Sequence, residues 1–208
     1  MTDEMKIGII GSGHIGGTLA RLLSARGHEV WLANSRGPAS LGDVAVKFGE
    51  RVRAASAREA ASEAELVIEA IPFGRLGELP RDELAGKILV TAANYYPQRD
   101  GEIDLGGASE AEFTARLLPG VRLVKAFNTI WFRHLAEQGD PSKPFDDRRA
   151  IFVCADDGAA KSAVSRLIED LGFAAVDGGS LADSARFQPG APLYNRDLTG
   201  REAREALR

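Results

Sequence analysis

Gly11, Gly13 and Gly16 stand in G-x-G-x-x-G spacing, between an apolar run ending at Ile10 and a helical pattern that starts at once. Glycines so placed suit a diphosphate ligand. Gly11 permits a tight strand-to-helix turn, Gly13 leaves the backbone open to a pyrophosphate, and Gly16 lets the helix pack closely on its strand. The free N–H groups and positive dipole end of that helix then face the phosphates. His14, inside the loop, either touches the pyrophosphate or points to solvent.

The next strand, His28 to Ala33, selects among dinucleotides. Where the ribose 2′-hydroxyl of NAD is bound, an Asp or Glu stands at the end of this strand. This chain has Asn34-Ser35-Arg36 instead. An acid repels a 2′-phosphate, whereas a guanidinium grips one through paired charge-assisted bonds and stacks on adenine. The missing acid, with Ser35 and Arg36 at this distance from the glycines, predicts NADP(H).

Other strand ends offer further site candidates. Ile71-Pro72-Phe73 makes a sharp exit where Phe73 is expected to cover the dinucleotide. Ala93-Asn94-Tyr95-Tyr96 and Phe127-Asn128-Thr129 supply amides and hydroxyls for a nicotinamide carboxamide and a second substrate. Each Asn reads equally well as a turn former. Trp31 and Trp131 read as packing residues. No Ser-x-x-x-Lys or Tyr-x-x-x-Lys pair is placed for carbonyl reduction, and no His, Cys and carboxylate cluster suggests a metal. No residue is assigned a catalytic role, which fits hydride transfer between flat cofactors, where positioning carries most of the catalysis.

The elements that must position these residues alternate along the chain. Strands end near Ile10, Ala33, Ala54, Ile71, Ala92, Phe127, Cys154 and Asp177, with helical patterns between them. The fold class is therefore α/β, a doubly wound parallel sheet with a small C-terminal lobe. Residues 1–155 read as an NADP-binding domain, and residues 156–208 as a small lobe and tail completing the acceptor site. Thirty-one residues follow Asp177, too few for the long helical substrate domain of many hydroxy-acid and imine dehydrogenases. The segment Gly178 to Tyr194 is expected to build the acceptor site instead.

Composition sets the class. The 208 residues are 44% hydrophobic and 27% charged, with net charge −4, giving no basic footprint for nucleic acid or a membrane surface. Cys154, the single cysteine, lies in the apolar run Ile151–Cys154 and reads as a core thiol. No apolar run reaches the ~20 residues that span a bilayer. The acidic start, Met1 to Lys6, resembles neither a signal nor a transit peptide, so the cytoplasm is the expected compartment.

Taken in order, the glycine loop, Asn34-Ser35-Arg36, Ala70-Ile71-Pro72-Phe73, Lys125-Ala-Phe-Asn128-Thr-Ile130, Ala155-Asp-Asp157 and Asp177-Gly-Gly-Ser-Leu181 resemble the F420-dependent NADP oxidoreductase family. Its fold also resembles the cytosolic reductase domain of six-transmembrane ferric reductases. The resemblance runs from Met5 to about Leu181. It implies a Rossmann domain with hydride passing between nicotinamide and deazaflavin F420, Ser12 to Ile15 at the pyrophosphate, and Ser35 and Arg36 at the 2′-phosphate. Some members are dimers, so it also implies a homodimer as one assembly. Relatives often carry another basic residue soon after the Ser-Arg pair; Gly37 to Ser40 contains none.

The expectation is thus an NADPH-dependent oxidoreductase using F420, a flavin or a similar flat small-molecule acceptor. The alternatives are a non-catalytic NADP(H) sensor and a dehydrogenase of a small carbonyl compound.

Overall fold

The computed structural model describes residues 4–208; Met1–Asp3, on which part of the reading of the acidic start rests, lie outside it. The first strand, β1 (Lys6–Ile10), leads into α1 (His14–Ala25), β2 (Glu29–Ala33), α2 (Gly42–Phe48), β3 (Val52–Ala55), α3 (Ala57–Glu63) and β4 (Leu66–Glu69). A 3₁₀ turn, Phe73–Glu78, and the short α4 (Arg81–Leu84) precede β5 (Ile88–Thr91). Then come α5 (Pro97–Asp100), α6 (Glu110–Leu117), β6 (Arg122–Lys125), α7 (Phe132–Glu137), β7 (Ala150–Cys154), α8 (Gly158–Asp170), β8 (Ala174–Gly179) and α9 (Gly200–Glu205).

The strands make one sheet in the order β3-β2-β1-β4-β5-β6-β7-β8. From β3 to β6 all pairs are parallel. The α/β Rossmann-type class is as the alternation predicts, but the sheet is mixed rather than wholly parallel. β7 is antiparallel to β6, and the two meet at a single pair, Lys125 with Cys154, while β8 runs parallel to β7. All five residues of β7 are buried, and a strand covered on both faces carries no periodicity that reveals its direction.

Apolar side chains explain the layering. On one face Leu19 and Leu23 of α1, Ala45 of α2, Leu135 of α7 and Val164, Leu167 and Ile168 of α8 meet strand residues such as Ile7, Ile9 and Val124. On the other, Ala60 and Ala61 of α3, Leu84 of α4 and Ala111 of α6 pack on Val67 and Leu89. Around β7 and β8, Phe152, Val176, Phe187 and Ala203 form a third apolar cluster that draws in the tail. Strand order reverses between β1 and β4, and the crevice outside their carboxyl ends is where such sheets bind ligands.

Candidate dinucleotide site

A cleft of about 320 Å³ opens at that reversal. Gly11, Ser12 and Gly13 line it from the β1 exit, Asn34, Ser35 and Arg36 from the β2 exit, and Ile71 and Pro72 from the β4 exit. Eight of the sequence-predicted residues therefore share one wall system.

The glycine loop has the expected local physics. Gly11 adopts φ +116°, and a Cβ there would lie 2.4 Å from the Ala70 carbonyl oxygen. At Gly16 a Cβ would lie 1.8 Å from the Gly11 carbonyl oxygen, so the helix could not approach. Gly13 is different. Its φ is −71°, open to any residue, and an added Cβ would meet nothing within 4 Å. Neither conformation nor the chain's own packing requires glycine there, and a side chain would occupy the cleft instead. No side chain caps α1 and its first turn holds no acid, whereas α3, α6 and α9 each carry a full capping box. The open cradle and bare helix start fit a pyrophosphate.

Asn34 shapes the β2 exit. Its Oδ1 accepts the Arg36 backbone N–H at 2.9 Å, an Asx turn, and its Nδ2 donates to Ser12 Oγ at 3.3 Å and Ser40 Oγ at 3.0 Å. It braces the turn against the glycine loop. Among the described residues no hydrogen bond or ion pair engages the exposed Arg36 guanidinium. With no acid at the end of β2, the donor set at this end of the cleft fits a phosphorylated ribose.

A second cation was missed in the sequence. Arg75 lines the same cleft from the 3₁₀ turn after β4, paired with Glu78 through Nε–Oε1 at 2.9 Å and Nη2–Oε2 at 2.6 Å. Glu78 lines the cleft beside it, so the two charges offset one another there. The only signal was an Arg–Glu pair at i, i+3 in a segment without periodicity.

The remaining predicted residues lie apart from this cleft. His14 stacks on Phe132, ring centroids 4.2 Å apart, and lines a neighbouring groove along α1. Ile15 packs against the core and Gly16 is buried. Phe73 turns inward against Tyr95 and Phe113, so its ring packs the core rather than covering a ligand. Trp131 is 46% exposed, with Arg133 over its ring, and is not the packing residue expected.

Ala93, Asn94 and Asn128 gather beyond the ends of β5 and β6. Phe127, at φ 60° in the left-handed region that bulky residues avoid, turns the β6 exit there. Asn94 Nδ2 donates to the Asn128 carbonyl at 2.9 Å, Asn128 Nδ2 donates to Asn94 Oδ1 at 3.1 Å, and Asn128 Nδ2 also reaches the Phe187 carbonyl at 3.0 Å. The amides thus knit both exits to the tail.

Buried charge holds this exit from below. The Lys125 ammonium donates to the Ala93 carbonyl and pairs with Glu110 at 3.1 Å, and Glu110 Oε1 accepts the Tyr95 N–H at 3.1 Å. Glu69, fully buried at the end of β4, is bonded by the Thr91 hydroxyl and the Ile71 N–H. Burial raises its carboxyl above the ordinary range, against weaker lowering by those bonds and by Lys125. A Lys and a Glu inside apolar strands were the visible signs of this network. Among the described residues no group of three His, Cys, Asp or Glu could hold a metal, and no helix is long and apolar enough to cross a membrane.

The strand order and glycine-led helix define a Rossmann-type, dinucleotide-binding α/β fold. Residues 6–95 match the family described as NADP oxidoreductase, coenzyme F420-dependent. Over 94% of this chain and 95% of the other, the structure superposes on the protein SMa0349 of Sinorhizobium meliloti with TM-score 0.82 and 36% identity. A protein of Arthrobacter sp. FB24, provisionally described as an F420-dependent NADP-reductase, matches with TM-score 0.74 and 29% identity over 87% of each chain. The rat metalloreductase STEAP3 is 35% identical over 196 residues, 92% of this chain. The chain spans 37% of that metalloreductase's length. Residues 6–95 thus match the coenzyme F420-dependent NADP oxidoreductase family, and the solved structures extend the likeness over nearly the whole chain.

Proposed function

We propose that the chain transfers hydride between NADP(H) and a flat redox acceptor such as coenzyme F420 or a flavin. The observation that carries this reading is Gly13, whose absent side chain leaves open a cleft running from the bare start of α1 to the unengaged Arg36 guanidinium.

In this reading the α1 amides and the Gly11–Gly13 backbone hold the pyrophosphate, and Ser35 and Arg36 hold the 2′-phosphate. Arg75, held by Glu78, borders the same cleft from the 3₁₀ turn after β4. Ile71 and Pro72 form an apolar wall, which excludes water beside the dinucleotide. Nicotinamide, when bound, supplies or accepts the hydride. Ala93, Asn94 and Asn128 present the β5 and β6 exits to it, and Lys125 and Glu110 keep that edge from moving. Catalysis then rests on holding two flat rings in register, the effect that oriented binding supplies.

Following NADPH oxidation with F420, FMN, FAD, quinones and ferric chelates tests the reading. Turnover with a flat acceptor is expected. Tight NADPH binding without turnover on any of them would make the chain a sensor of NADP(H) instead.

A further inference from the structure

Hydride delivery to a ring acceptor leaves a negative charge that a proton must quench, and the sequence shows no acid at the strand ends for that task. The fold assembles a candidate from residues far apart in the chain. The Tyr96 hydroxyl, beyond β5, is hydrogen-bonded to the Tyr194 hydroxyl on the tail, and both side chains are partly exposed. Asn94 Nδ2 donates to the Tyr194 oxygen at 3.4 Å. Asn94 cannot turn round to accept instead, because its Oδ1 already accepts from the Asn128 amide and its Nδ2 donates to the Asn128 carbonyl.

Counting hydrogens leaves one O–H of the pair to spare. Two phenolic hydrogens are present and one is spent between the oxygens. Asn94 only donates, so the other hydrogen has no acceptor among the described residues. Either hydroxyl can donate in that bond; when Tyr194 donates to Tyr96, the spare O–H is that of Tyr96. The Arg99 guanidinium sits 5.1 Å from the Tyr96 ring centroid and donates to the Asn94 carbonyl at 2.6 Å. The donor chain thus ends on a ring that carries a guanidinium over its face, and both favour charge developing on the phenol.

The tail is held to its place. Phe187 stacks on Phe152 at 4.2 Å, its carbonyl takes the Asn128 amide, and Arg149 grips the Arg196 carbonyl and Asp197, each at 2.8 Å. Burial raises the Tyr194 hydroxyl above the ordinary phenol range, with the Tyr96 bond adding to it, so Tyr194 stays a donor at neutral pH. The charged groups facing the pair are Arg99 and its partner Asp100 beside β5, and Glu110 from α6.

We propose that Tyr96 is the proton donor of the acceptor half-reaction and that Tyr194 is the positioning residue that orients and polarises it. The inference rests on the hydride-transfer reading above. NADPH loses hydride to a ring atom of the acceptor and becomes NADP⁺. The Tyr96 O–H bond breaks as a new bond forms between its proton and the acceptor's ring nitrogen or carbonyl oxygen. The phenolate is reprotonated from water, so one NADPH and one proton are consumed for each acceptor reduced.

The test compares wild type, Tyr96→Phe and Tyr194→Phe with coenzyme F420, and FMN in parallel, across pH. NADPH affinity is read by calorimetry and F420 affinity by its fluorescence. Tyr96→Phe is expected to lower kcat about 100-fold and flatten the alkaline limb of the kcat profile, with NADPH affinity within about 3-fold of wild type. Tyr194→Phe should lower kcat about 10-fold with F420 affinity within about 3-fold, a kcat effect that a loosened tail would not give alone. Retention of kcat and of the alkaline limb in Tyr96→Phe would overturn the proton role and leave the hydride reading standing. A wild-type chain that binds NADPH but reduces neither acceptor would overturn both.

Discussion

The Asn34 side chain spends both of its ends inside the protein: Oδ1 on the Arg36 N–H at 2.9 Å, Nδ2 on the hydroxyls of Ser12 and Ser40. The residue standing where NAD-binding chains place an acid is therefore a brace that presents Ser35 and Arg36. Asn34→Asp retains the acceptor for the turn but loses the two donated bonds and adds a negative charge at the phosphate end. It should weaken NADPH binding about 10-fold or more and leave NADH within about 3-fold, both by calorimetry.

Gly13 and Gly16 separate ligand approach from packing. Gly13→Ala adds a methyl to open space at an ordinary φ, so its thermal midpoint should stay within about 2 °C of wild type while NADPH affinity falls about 10-fold or more. Gly16→Ala places a Cβ 1.8 Å from the Gly11 carbonyl oxygen and should lower stability by about 2 kcal/mol or more in denaturant titration. Equal stability losses in both would show that Gly13 is a packing residue as well.

Much of this site was legible because it is local. The turn after β1 and the missing acid after β2 depend on a few consecutive residues, and their chemistry survives without knowledge of the fold. The β7 direction was not legible, since Ala150–Cys154 is buried throughout and its apolar run reads alike in either sense. Nor were Lys125 on the Ala93 carbonyl or Tyr194 on Tyr96. Those contacts join segments tens of residues apart, and only strand order brings them together. Phe73 carried the opposite lesson: an aromatic at a strand exit looks like a ligand cover until α6 supplies Phe113 for it to pack on.

Glu69 links the buried network to pH. The folded state holds its carboxyl above the ordinary value of 4.5, so above that pH the folded chain retains a proton that the unfolded chain releases. Stability from this group is full below pH 4.5 and declines as pH rises towards the folded-state value, by at most about 1.4 kcal/mol per pH unit. Glu69→Gln should flatten that decline in urea titrations run from pH 4.5 upward. An unchanged pH slope would mean Glu69 is ionised in the native chain.

Cys154 should be inert. Burial pushes its thiol up to about 12, and its side chain is enclosed at the junction of β6 and β7. Iodoacetamide at pH 8 should leave the native chain unmodified for hours and label it within minutes in denaturant. Rapid native labelling would place that junction in frequent local opening.

Calorimetric titration of the purified chain with NADPH, NADP⁺, NADH and NAD⁺, repeated on Arg36→Glu, addresses the central claim most directly. The account predicts at least a ~10-fold preference for the phosphorylated pair, and a loss of at least ~2 kcal/mol of NADPH binding in Arg36→Glu with NADH little changed. Absence of binding heat with all four nucleotides, or equal losses for NADPH and NADH in the variant, would contradict it.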